Sequence, residues 1–99
     1  MLYLMLDETK TKCYAKIGYT SDRRKGEHNS RIMAYRTHNP CAILKDWHAG
    51  SPDDEWRYQQ KLLKLNGSIK LPRSEWVEVS EDVYNQLLIK GFKVFDKNT

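Results

Sequence analysis

The sequence predicts a small α+β domain. Three observations predict it: a length of 99 residues, short apolar stretches that switch between strand-like and helix-like periodicity, and turn or capping residues at most boundaries. At 11.7 kDa the chain has room for one hydrophobic core, so a single domain is expected over residues 1–99. Hydrophobic residues make up 39% and aromatic residues 11%, enough to bury a core and to argue against wholesale disorder.

The elements follow in order. Leu2-Tyr3-Leu4-Met5-Leu6 is apolar and stops at Asp-Glu-Thr-Lys, which reads as a strand and a turn. Residues 13–17 read as a second strand ending at Gly18, near enough for a hairpin through residues 7–12. Successive strand side chains point to opposite faces. Tyr3 and Met5 are therefore set against Leu2, Leu4 and Leu6, and Tyr14 and Lys16 against Cys13, Ala15 and Ile17. Residues 20–27 are polar and basic and read as a loop. Ser30 suits the N-cap of a helix over 31–36 with Ile32, Met33 and Tyr35 inward. His38-Asn39-Pro40 ends it, because a residue before proline avoids the helical region.

Residues 42–47 read as a third strand. Ser51 as N-cap, Pro52 at the first helical position and acids in the first turn predict a helix over 52–65, closed by Asn66-Gly67. Residues 75–79 alternate as a short strand. Ser80 then caps a helix with Val83, Leu87 and Leu88 as its apolar stripe, and Gly91 stops it. Residues 92–95 read as a last short strand. The order is β-β-α-β-α followed by a strand-helix-strand extension, without repeats, linkers or low-complexity segments.

The formal charge of +4 is unevenly spread. Residues 10–36 hold eight basic residues against two acidic ones, while the remainder holds nine against eleven. A basic stretch of this kind is either a solvated face or a surface for phosphates, since clustered Lys and Arg displace the counterions of a nucleic acid. The longest apolar run, at residues 1–6, is far shorter than the roughly 20 residues of a membrane span, and it lacks the basic flank and cleavage site of a signal peptide. No membrane association is expected, and the two cysteines are expected to be reduced. No Walker loop, dinucleotide fingerprint or nucleophile elbow is present.

On the long helix Glu55, Gln59, Leu62 and Asn66 fall on one face, with Trp56 and Leu63 beside them and directed to the core. A carboxylate in a first turn is either a partner for the helix dipole or a ligand for a hard cation, which needs only one or two carboxylates. His38-x-x-Cys41 with His28 and Cys13 lacks the tight paired spacing of zinc ligands; His28 and His38 read as loop residues, with His28 able to contact phosphate. Trp47, Trp56 and Trp76 read as packing residues, with base stacking as the alternative.

Taken together, Met1-Leu2-Tyr3, Lys16-Ile17-Gly18-Tyr19-Thr20, Arg31 in a helix, Thr37-His38-Asn39-Pro40, Glu55 and Ser74-Glu75-Trp76-Val77 resemble the GIY-YIG nuclease superfamily. The likeness is greatest to its compact phage and meiotically up-regulated-gene type branch. There the second motif reads K-I-G-x-T, the helix ends in T-x-N-P, a glutamate opens the next helix and an E-W-F-like strand follows. The resemblance covers roughly residues 1–80. It implies a small central antiparallel three-stranded sheet flanked by helices, with residues 80–96 as the C-terminal extension.

The resemblance also implies roles. Tyr3 takes the place of the first motif's tyrosine, the general base, although the motif's glycine position is Met1. Lys16 occupies the second motif's tyrosine position, and Tyr14 or Tyr19 could stand in for the missing phenol. Arg31 matches the helix arginine when aligned from Asn39-Pro40. Counted from Gly18 the gap is longer than usual, which makes Arg23 and Arg24 its rivals. Glu55 matches the metal-binding glutamate, Asn66 a late asparagine of some members, and Gln59 stands where many relatives carry histidine. Tyr14, Tyr19, Arg23, Arg24, Lys25, His28, Arg36 and Asn66 would then contact nucleic acid. The implied activity is one-metal hydrolysis of phosphodiester bonds in DNA, with RNA left open, using Mg²⁺ or Mn²⁺. A free tyrosine ionises at about pH 10, so a cationic neighbourhood from Lys16, Arg31 and the metal would be needed to make Tyr3 a base. The alternatives are an inactive nucleic-acid binder on the same fold and a small phage-type inhibitor of a protein partner. A homodimer would provide for a double-strand break. The expected location is the cytoplasm, or the host cytoplasm for a phage-encoded chain.

Overall fold

The computed structural model describes residues 1–23, 32, 42–65 and 67–96. The helix expected over 31–36 lies outside those residues except for Ile32, as do Arg24, Lys25, His28, Arg31, Arg36 and Asn66. The described residues form an α+β fold: a five-stranded antiparallel sheet with two α-helices and a 3₁₀ helix.

Strands β1 (Leu2–Glu8) and β2 (Cys13–Tyr19) form the expected hairpin. Both run two residues beyond the stretches read from the sequence. Thr9 makes the turn tight: its amide donates to the Lys12 carbonyl at 2.8 Å, and its hydroxyl accepts from the Lys12 amide at 3.0 Å. The register sets Tyr3 opposite Gly18, Met5 opposite Lys16 and Asp7 opposite Tyr14. Directly paired residues share a face, so these six side positions line one side of the sheet. Strand β3 (Ile43–His48) joins the free edge of β1, with a register irregularity between Leu4 and Met5.

The sheet does not stop at three strands. After helix α1 (Pro52–Leu63), strands β4 (Ile69–Lys70) and β5 (Val77–Val79) extend it in the order β3-β1-β2-β5-β4. Val77 and Val79 explain the extension. Paired with Ala15 and Cys13, they continue the apolar surface of β2 and are buried under the helices. Strand β4 was not legible because it is two residues long and exposed.

The two sheet faces carry separate cores, as the alternation predicts. Leu2, Leu4, Leu6, Ala15 and Ile17 join Leu62 of α1, Val83, Tyr84 and Leu87 of helix α2 (Glu81–Lys90), and two phenylalanines beyond it. Tyr3 and Met5 join Ile32 and Ala42 on the other face, with Leu44, Trp47 and Trp76 against them.

Residues 92–95 form no strand, contrary to their apolar pattern. They lie in a 3₁₀ helix (Gly91–Asp96). Phe92 and Phe95 are three residues apart, so a helix with three residues per turn stacks them on one side, where both rings meet Tyr58. Gly91 permits the change of direction at φ 59°, and Asp46 of β3 fixes it by accepting from the Phe92 amide at 2.9 Å. Two further readings of the long helix are corrected. It ends at Leu63 instead of residue 65, and Trp56 is 61% exposed, on the side turned from the core.

Candidate functional site

The site is built around one end of the β1–β2 hairpin. Tyr3 is fully buried, and its ring lies nearly parallel to Trp47, with centroids 6.5 Å apart. Directly across the strand pair is Gly18. A Cβ on Gly18 would stand 2.8 Å from Tyr3 Cε1 and nearer still to Cζ and the phenol oxygen. The glycine of Lys16-Ile17-Gly18 is thus a matter of space: it leaves room for the phenol against the backbone of β2.

Lys16 shares this face two residues away, and it is buried. Its ammonium is ion-paired with the carboxylate of Glu75, which is 58% exposed. In the sequence, Glu75 stands out only through its strand and the Ser74-Glu75-Trp76-Val77 motif, with no role of its own. The pairing lets an otherwise costly buried charge be accommodated. Of the two stand-in tyrosines, Tyr14 shares the face of Tyr3, but four residues along β2 from Gly18, about 13 Å at strand spacing. Tyr19 packs against the opposite, helix-covered core.

Glu55 is positioned by the start of α1. The Ser51 hydroxyl accepts from the Asp54 amide at 3.2 Å, and Asp54 Oδ2 accepts from the Ser51 amide at 2.9 Å. This reciprocal box commits Asp54 to the cap and holds its carboxyl below the ordinary aspartate range, the Ser51 amide contributing most. Glu55, the next residue, is half-buried and lies outside the cap. Its Oε2 accepts from Gln59 Nε2 at 3.3 Å, and the same nitrogen donates to the Ile17 carbonyl at 2.9 Å. Gln59 therefore ties the carboxylate to β2 at the residue before Gly18. The 4-residue spacing of Glu55 and Gln59 read from the sequence is what permits this.

Arg23 and Tyr19 come together with Met1, Ser21, Ala49 and Gly50 around a cleft of about 310 Å³ that borders the approach to α1. The Met1 ammonium donates to the Thr20 carbonyl at 2.6 Å there. Among the described residues no three His, Cys, Asp or Glu side chains gather as a metal cage. Glu55 is thus a single half-buried carboxylate with one oxygen keyed by an amide, a donor set that suits a hard cation retaining most of its waters. No helix among the described residues is long and apolar enough to cross a membrane.

Comparison with family models, curated proteins and solved structures finds no match to this chain.

Segment-by-segment charge counting missed two residues at the β4–β5 edge of the sheet. Lys70 and Arg73 lie outside the basic stretch at 10–36, yet they share a cleft with Lys16. Only the pairing of β5 on β2 joins them, and no local pattern encodes it.

Proposed function

We propose that the protein is a metal-dependent endonuclease of the GIY-YIG superfamily, akin to its compact phage and meiotically up-regulated-gene type branch, which hydrolyses phosphodiester bonds in DNA. One observation carries this reading. Tyr3 lies on Gly18 while Glu55, through Gln59, is anchored to the carbonyl of Ile17 beside it. Tyr3 from β1 and Glu55 from α1 thus reach neighbouring residues of β2, with Tyr3 on one face of the sheet and α1 packed on the other.

In this reading Tyr3 takes a proton from the attacking water. Glu55 holds Mg²⁺ or Mn²⁺, which when bound supplies polarisation of the phosphate and stabilisation of the leaving oxygen. Arg31 neutralises charge on the phosphoryl oxygens through paired N–H donors. Arg23 and Tyr19, on the cleft beside α1, and the other basic residues of the 10–36 stretch hold the backbone. Such an enzyme would work in the cytoplasm, or in a host cytoplasm if phage-borne.

The test is nicking of supercoiled plasmid across divalent metals. Mg²⁺ or Mn²⁺ should give relaxed circles, and Glu55→Gln and Arg31→Ala should abolish them. Undiminished turnover in both variants would refute the reading. A second reading is favoured by the complete burial of Tyr3 within an apolar cluster, where a base has no direct path to water. It makes the chain a nucleic-acid binder that does not cut. Salt-sensitive binding without nicking under any metal would decide for it.

A further inference from the structure

A second cationic cleft lies at the β4–β5 edge of the sheet, reaching from Lys16 on the Tyr3 face to Lys70, whose register with Val77 puts it on the helix-covered face. Lys16, Lys70, Arg73, Ser74, Glu75 and Trp76 line an open cleft of about 440 Å³. Among the described residues, three cations stand there against one carboxylate, and that carboxylate is ion-paired with Lys16. The excess charge therefore lies on the Lys70 and Arg73 side. Lys70 donates to the Ser74 carbonyl at 2.9 Å, which draws the β4–β5 turn closed beneath it. Trp76 forms the wall towards the Tyr3 cluster, its amide held by the Ser74 hydroxyl at 3.0 Å.

Arg73 is the telling residue. Its φ of 56° is the one positive value among the described non-glycine residues. This left-handed conformation disfavours a side chain and suits glycine. A long cation kept where glycine would fit more easily suggests that the guanidinium has a use there.

We infer that this cleft seats a phosphodiester of a nucleic-acid strand, with Lys70 and Arg73 on the phosphate oxygens and Trp76 beside the sugar or base. The inference rests on the nucleic-acid substrate proposed above but not on cleavage. Strand β4 lies two strand spacings from β2, about 10 Å. A phosphate held here therefore lies to the β4 side of one at the Tyr3 end. The cleft would thus fix the direction in which a strand crosses the sheet.

The experiment measures binding of a fluorescent oligonucleotide duplex to the full chain in EDTA, across salt concentrations. Wild type is compared with Arg73→Gly and with the pair Lys70→Gln and Arg73→Gly. Losing two phosphate contacts should lower the slope of log affinity against log salt by about 1.8. The loss of affinity between about 50 and 200 mM salt should then shrink about tenfold. Arg73→Gly should also melt higher than wild type, because glycine relieves the backbone, whereas a merely structural arginine would leave the variant less stable. A double variant with the full wild-type slope overturns the inference, as does a wild type that binds no DNA. So does a cleft that takes inorganic phosphate alone, read as an Arg73-dependent rise in melting temperature with an unchanged DNA slope. Plasmid nicking is scored separately. If wild type binds with the expected slope change but never cuts, the endonuclease reading falls and the phosphate seat stands. If it cuts and the slopes agree, the reverse holds.

Discussion

Gly18→Ala should destabilise the protein, although alanine is ordinarily the better residue. Gly18 has no positive φ, so an alanine there incurs no backbone strain. By reducing the freedom of the unfolded chain alone, it would stabilise by about 0.4–1 kcal/mol. The native side opposes this. The new methyl would meet Tyr3 Cε1 at 2.8 Å, with Cζ and the oxygen closer, where carbon atoms prefer about 3.5–4.0 Å. The ring must yield by roughly 1 Å. It has little freedom to do so, being fully buried between β2 and Trp47. Overpacking of this kind costs about 1–3 kcal/mol. A contact this short belongs in the upper half of that range, which after the gain of about 0.4–1 kcal/mol leaves a net loss of about 1–2.6 kcal/mol, so for a domain of this size the melting temperature should fall by about 4 °C or more. The assay is urea unfolding of wild type, Gly18→Ala, Tyr3→Leu and the double variant. In the Tyr3→Leu background the alanine should cost nothing, giving a coupling of about 1–3 kcal/mol. An equal loss in both backgrounds, or no loss in the first, would refute the claim that glycine is there to seat the phenol.

Ser51→Ala should cost about 1 kcal/mol by removing the cap of α1, measured by chemical unfolding. Asp54 titrates below the ordinary 3.8 when folded, so it favours the native state above that pH and ceases to do so as pH falls through its folded value. Asp54→Asn should therefore flatten the loss of stability below about pH 4 in acid titrations followed by circular dichroism. Glu75→Ala should cost more than Lys16→Met, because the first takes a carboxylate partner from a buried ammonium and the second leaves a carboxylate that is 58% exposed; equal losses in unfolding experiments would show that the pair does not hold Lys16. Burial, then Glu8 and Glu81, push the Cys13 thiol up. In a Cys41→Ser background, Cys13 should react with iodoacetamide at pH 8 at least about tenfold more slowly than in the unfolded chain, as mass spectrometry would show.

Strands β1 and β2, their two faces and both helix caps were legible because period, turn and cap are local signals. Ser51-Pro52-Asp53-Asp54 announces a helix without reference to anything outside it, and it forms one. The errors arose where distant partners decide. Phe92 and Phe95 carry an apolar pattern that suits a strand, but Tyr58 and the Asp46 carboxylate give them a 3₁₀ helix. Trp56 reads as facing the core from its place on the helix beside Glu55, Gln59 and Leu62, but it is 61% exposed, and the sheet meets the neighbouring face of α1 instead. In the site, Glu55 with Gln59 could be read from helical spacing. The Lys16–Glu75 pair could not, since 59 positions separate its members.

The strand order has a consequence for the route to the native state. Strands β1 and β2 are the inner pair, and their turn is short, so they can meet early. Their outer neighbours come from far along the chain: β3 for one edge and β5 for the other. Until those arrive, the hairpin presents two unsatisfied edges and apolar side chains on both faces, a template that another nascent copy could pair with. Closure across such sequence distances is slower than the formation of local contacts. The charged and hydroxylated turn at residues 7–12 leaves the tip of this early species soluble, so its exposed flanks are where a chaperone, or a second chain, would first take hold.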